Sequence, residues 1–168
     1  MSMTMYTATV PVFRQILGAL ADVLEKAERH AQDNKIEPAA LLQARLFPDM
    51  FPLVRQVQIA ADFAKGTTAR LAGIEVPRYE DNEQSFSELQ QRITKTLGYV
   101  ASLPREAFDA AGERAITHGA GERARHFERG DDYLTGFVLP NFFFHVTTAY
   151  AILRHNGVPI GKRDYLGL

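Results

Sequence analysis

Apolar residues recur at helical spacing in four separate stretches of this chain, and proline and glycine hold the stretches apart. In the first, Phe13, Ile16, Leu17, Leu20, Val23, Leu24 and Ala27 fall on one side of a helix, with Arg14, Asp22, Glu25, Glu28 and Arg29 on much of the other. Pro11 suits a first turn and Asn34 an end, which predicts a helix near 11–34. A rigid corner follows around Pro48 and Pro52, because each proline fixes φ and disfavours helix in the residue before it. Beyond the corner a helix is expected over 52–72, with Asp49 as its cap, Leu53, Val57, Ala60, Ala64 and Leu71 inward, and Gly73 at its end. Phe86, Leu89, Ile93, Leu97 and Val100 define a third helix near 83–101, entered through Asp81 to Gln84 read as a variant capping box. A fourth is expected over 140–156, with Pro140 early in it and Gly157 just past its end.

The connections carry weaker signals. Glu37 to Leu42 suits a short helix, and Arg105 to Ala111 a turn or two. Between Gly112 and Gly130, Ala115–Thr117 and Arg125–Phe127 are expected to pair as a small hairpin. Asp131 or Asp132 is a candidate cap for a helical turn over Tyr133 and Leu134, and the tail from Val158 is expected to be irregular. Four long amphipathic helices with no repeat or linker imply an all-α, four-helix bundle in one domain spanning 1–168. A chain of this length buries about 70% of its unfolded surface, enough for a core.

Composition narrows the function classes. The chain has no cysteine, which excludes disulfides, thiolate metal sites and a cysteine nucleophile. A net charge of −1 gives no electrostatic case for nucleic acid or an anionic membrane. No uninterrupted apolar run approaches ~18 residues, and no secretory signal opens the chain, so no membrane partner and a cytoplasmic location are expected. Phosphate-binding glycine loops, zincin motifs and nucleophile elbows do not occur.

The candidate site lies on the last helix. At ~100° per residue, Asn141, His145, Thr148 and Ile152 form one stripe. His145 has apolar neighbours and is expected to point inward, either as a core histidine held by hydrogen bonds or as a functional group. On the second helix Gln56 lies at the edge of the apolar face, while Gln58 lines up with Arg55 and Asp62 on a side that reads as solvated. A buried glutamine needs partners, and for Gln56 these are His145 or Asn141. His30 and His155 read as helix-end residues, His118 and His126 as exposed. Glu80, Asp81 and Glu83 are accounted for by capping. The run Phe142–Phe144 circles more than one helix face. Such a helix is central to the fold or carries a subunit interface.

The segment Leu139 to Gly167, with Phe47–Gly73 and Tyr79–Ile93, resembles a bacterial family of unknown function within the DinB-like (YfiT-like) superfamily, whose metal-binding members include thiol transferases and isomerases. The resemblance implies a four-helix bundle, commonly a homodimer, with a metal site between helices. It places His145 at the second and Asn141 at the first position of a His-x-x-x-His pair, and Gln56, or else Gln58, near the second-helix ligand. One of three imidazoles is kept. Zinc and nickel prefer imidazole, thiolate and carboxylate donors, so no metal cofactor is expected. The expected function is a DinB-like bundle with a degenerate metal-site pocket, small-ligand-binding or non-catalytic. The alternatives are a transferase or hydrolase using zinc or nickel through His145, and a protein-interaction module.

Overall fold

A computed structural model describes residues 3–168. Its long helices are α1 (Met5–Asp33), α3 (Leu53–Ala72), α4 (Phe86–Ser102) and α6 (Leu139–His155), with a short α2 (Pro38–Leu42) between the first two. They form a ring in which α6 packs on α3, α3 on α4, α4 on α1, and α1 closes against α6. The core runs along its axis. Phe13 of α1 meets Phe142 of α6 edge-on at 4.8 Å, and Leu17, Leu24, Leu53, Leu89 and Ile93 are fully buried around them.

The helix ends show which local signals dominate. α1 starts at Met5, not Pro11, because Thr4 and Thr7 cap each other reciprocally at its N-terminus. Pro11 lies inside the helix on its exposed side, where the lost hydrogen bond is tolerated. The chain leaves α1 through Asn34 and Lys35, the latter at φ 56°. Asp49 caps nothing; α3 begins directly after Pro52. It ends as expected at Gly73, whose φ of 72° a side chain would strain. α4 is entered at Ser85 rather than through 81–84: the Ser85 hydroxyl accepts from the Glu88 amide, and the Glu88 carboxylate accepts from the Gln84 amide. That frees the acidic residues 80–83 for another task.

After two 3₁₀ turns, β1 (Ile116–His118) and β2 (Arg125–Phe127) pair antiparallel as a two-stranded hairpin, Thr117 opposite His126. Neither Asp131 nor Asp132 caps the next turn, α5 (Gly130–Tyr133), which begins after Arg129. A π-helical turn, Leu134–Val138, then joins α5 to α6 without a break. Pro140 has no N–H to donate, and the wider turn just before it, closed by Leu139 N–H on the Leu134 carbonyl, carries the helix past that defect. The continuous helix Gly130–His155 is therefore 26 residues, with a mean hydropathy of 1.3 in its most apolar window. Among the described residues it is the one helix long and apolar enough to cross a membrane, although 44% of that window is buried inside the protein, where Phe142, Val146, Ala149 and Leu153 enter the core. The tail is more ordered than its sequence implies: α7 (Lys162–Leu166) packs on α1, tied by a Lys26–Asp164 ion pair.

Candidate functional site

Packing of α3 on α6 brings Gln56 and His145 together. Gln56, in the first turn of α3, is 1% exposed. Its Nε2 donates to the carbonyl of Phe51 in the proline corner at 3.1 Å, so its Oε1 is left facing the helix opposite. That oxygen lies 2.7 Å from Nδ1 of His145. An amide oxygen only accepts, so Nδ1 carries the proton and Nε2 is left with a lone pair. Burial, and then the nearby Arg55 charge, push the His145 pKa down to about 4, so the ring is neutral at pH 7. Phe63 stacks on it at 6.0 Å and Phe144 meets it edge-on at 5.2 Å.

The other two residues of the expected stripe turn to their own helix. Asn141 donates to the Phe137 carbonyl at 2.7 Å, and buried Thr148 to that of Phe144 at 2.7 Å. Neither hydrogen-bonds to Gln56 or His145. Of the candidates, the direct polar link is Gln56 to His145.

The side of α3 that reads as solvated is covered. Gln58 is 4% exposed and donates to Glu83 at 2.8 Å. The cover is the extended segment 74–85, held down by Arg92 from α4. The Arg92 side chain is 2% exposed and reaches Asp62, Asp81 and Glu83, each at 2.9 Å, and the Glu80 carbonyl at 2.9 Å. Asp81 also pairs with Arg55. The acidic run 80–83 thus anchors a strap across α3 and α4 instead of capping a helix. Lys65, also buried, pairs with Asp62 at 2.8 Å and lies 3.9 Å from the Tyr79 ring centre.

His118 is half-buried rather than exposed. It accepts or donates at 3.1 Å with the hydroxyl of fully buried Tyr133 and stacks on Phe63 at 5.7 Å. Burial, with help from Arg70 and Arg125, lowers its pKa to about 4. Phe63 therefore carries two neutral imidazoles. His118 sits on one wall of a cleft of about 670 Å³ between α3 and the strap, with Arg55, Phe63 and Arg70 on the α3 side and Val76 and Tyr79 on the other. Sequence reasoning missed this cleft, although the mid-helix Gly66 in its floor was a readable signal.

A family described as a domain of unknown function, DUF1993, matches residues 5–166. The chain belongs to the DUF1993 family. It is also similar to a solved structure described as a DinB family member protein from Shewanella denitrificans, at 40% identity and a TM-score of 0.90, over 97% of this chain and 92% of that one. No protein of curated function matches.

The donor set of this DUF1993 chain can be tested against a metal. Among the described residues no three His, Asp or Glu side chains gather at metal-binding distance. At the inferred position one imidazole nitrogen is bare, and the nearest polar neighbours are amides committed to a carbonyl or to the imidazole itself. A zinc centre normally takes three protein ligands, and neutral carboxamides are poor ones. The residues present do not fit a tightly held zinc or nickel ion.

Proposed function

We propose that this protein is a small-ligand-binding, non-catalytic DinB-like bundle in which the superfamily's metal position has become a hydrogen-bonded Gln56–His145 pair. The observation that carries the reading is the 2.7 Å contact between the two, with the far end of the Gln56 amide already engaged by Phe51. That leaves Gln56 no role as a ligand without breaking a buried hydrogen bond, which costs about 1–3 kcal/mol. The ligand enters the adjoining cleft lined by Arg55, Phe63 and His118, whose volume lies within the range of small-molecule sites. One observation favours the metal-dependent alternative: an imidazole clamped at Nδ1 presents Nε2 in the way metal-ligating histidines do. Metal analysis of protein purified without a histidine tag, together with a thermal-shift screen of small molecules, tests the proposal. Substoichiometric zinc and nickel with at least one stabilising ligand are expected. Near-stoichiometric metal that disappears in His145→Ala overturns it.

The assembly we propose is a homodimer. Leu46, Phe47, Phe51 and Phe144 are 41%, 63%, 56% and 55% exposed, and Leu46 and Phe144 share one apolar surface groove. Exposed apolar patches mark interfaces, and two-fold dimers are the commonest closed assemblies.

A further inference from the structure

We infer that the cleft between α3 and the 74–80 strap takes a small organic anion, with its apolar body against Ile59, Phe63 and Val76 and its carboxylate or phosphate against Arg70 and Arg78. The inference rests on the small-ligand reading above and names the ligand's class.

Three observations carry it. The cleft is lined by four cations, Arg55, Lys65, Arg70 and Arg78, against two carboxylates, Asp62 and Glu75, in a chain of net charge −1. Arg55 and Lys65 are paired, with Asp81 and Asp62. Arg70 and Arg78 make no ion pair among the described residues, and Glu75, likewise unpaired, is exposed at the rim. Two unpaired guanidinium groups thus line the cleft, against one unpaired carboxylate. Arginine is the side chain whose planar fork matches carboxylate and phosphate.

Gly66 supplies the second observation. It lies in the middle of α3, where glycine disfavours helix relative to alanine. A Cβ there would lie 2.6 Å from the Arg70 guanidinium. The absent side chain is the seat of Arg70, and this gives the glycine a reason to be where helix propensity argues against it.

The third is the apolar wall. Ile59 and Phe63 on α3, and Val76 and Pro77 on the strap facing them, are only half-buried. His118, neutral and held by Tyr133, lines the cleft without adding charge. A fully solvated inorganic anion has no use for that wall, whereas an organic anion covers it.

Fluorescence titration with 1-anilinonaphthalene-8-sulfonate and with its neutral analogue N-phenyl-1-naphthylamine tests the inference. The sulfonate is expected to bind about tenfold more tightly than the neutral compound, and to lose that advantage in 0.5 M salt. Arg70→Gln and Arg78→Gln are each expected to weaken the sulfonate severalfold and leave the neutral probe unchanged. Gly66→Ala displaces Arg70 while favouring helix. It is expected to weaken the sulfonate with no loss of thermal stability, which separates binding from folding. Phe144→Ser, at the exposed patch on the other side of His145, is expected to change neither probe. Equal binding of the two probes, or sulfonate binding that survives the arginine variants and falls in Phe144→Ser, overturns the anion assignment but leaves the small-ligand reading standing. Failure of both probes to bind, together with an empty thermal-shift screen, overturns both.

Discussion

Replacing His145 with alanine removes the donor to the side-chain oxygen of Gln56, a residue that is 1% exposed. The Gln56 amide cannot turn to find another partner without giving up the Phe51 carbonyl. An orphaned buried acceptor costs about 1–3 kcal/mol, and lost stacking on Phe63 adds about 0.5–1.5 kcal/mol. His145 is only half-buried, so water enters part of the vacated space, and the expected net cost is about 2 kcal/mol. For a chain of this length that lowers the melting temperature by about 4–8 °C. Gln56→Leu is expected to cost a similar amount, because it strands the imidazole N–H and the Phe51 carbonyl. The decisive quantity is the double-mutant cycle in urea denaturation. With both partners removed, the second substitution should cost at least ~0.5 kcal/mol less than it does alone. Costs that add within ~0.3 kcal/mol would mean that the two side chains do not depend on each other, and the geometry of the site would be misread.

Both imidazoles that stack on Phe63 have folded pKa values pushed down to about 4, against an ordinary value near 6.5, so their stabilisation is present above pH 6.5 and lost as pH falls towards 4. After discount for solvent screening of half-buried rings, about 1 kcal/mol per histidine should disappear across that window; a flat urea midpoint between pH 6.5 and 4 in wild type would refute it. Arg92→Ala leaves Glu83 beside buried Gln58 with no cation, which should cost about 3 kcal/mol and expose the 74–85 strap to proteolysis; unchanged stability would show that the strap is held some other way. Light scattering should give a dimer for wild type and a monomer for the Phe47→Ser/Phe144→Ser variant. A monomeric wild type at high micromolar concentration counts against the interface.

Helix count, helix type and the inward direction of Gln56 and His145 follow from local periodicity, which a bundle respects. The hairpin is legible because Gly112 and Gly130 bracket it and Gly119 and Gly121 lie in the connection between its strands. What was not legible depends on distant chain. Gln58, Arg55 and Asp62 have the phase of a solvated face, and they would be one if Arg92, thirty residues on from Asp62 and in another helix, did not pull residues 74–85 across them. The same strap creates the cleft. The acidic run reads as capping because Asp81 to Gln84 mimics a cap, while the pair that caps the helix, Ser85 and Glu88, lies four residues further on. His118 looked exposed because its burial comes from Phe63, Tyr133 and Phe137, none of which is near it in sequence. Pro140 suggested a helix start, and a π turn let the helix run through it.

We propose that His145 is a neutral imidazole clamped by Gln56 that anchors no metal. Nitrogen-15 NMR of the histidine side chains, recorded from pH 7 to 3.5 and then at pH 7 with equimolar zinc, reads both properties. The proton is expected on Nδ1, the ring is expected to stay neutral until about pH 4, and zinc is expected to leave its Nε2 resonance in place. A titration near 6.5, a proton on Nε2, or a stoichiometric zinc-dependent shift of the His145 Nε2 resonance would contradict it.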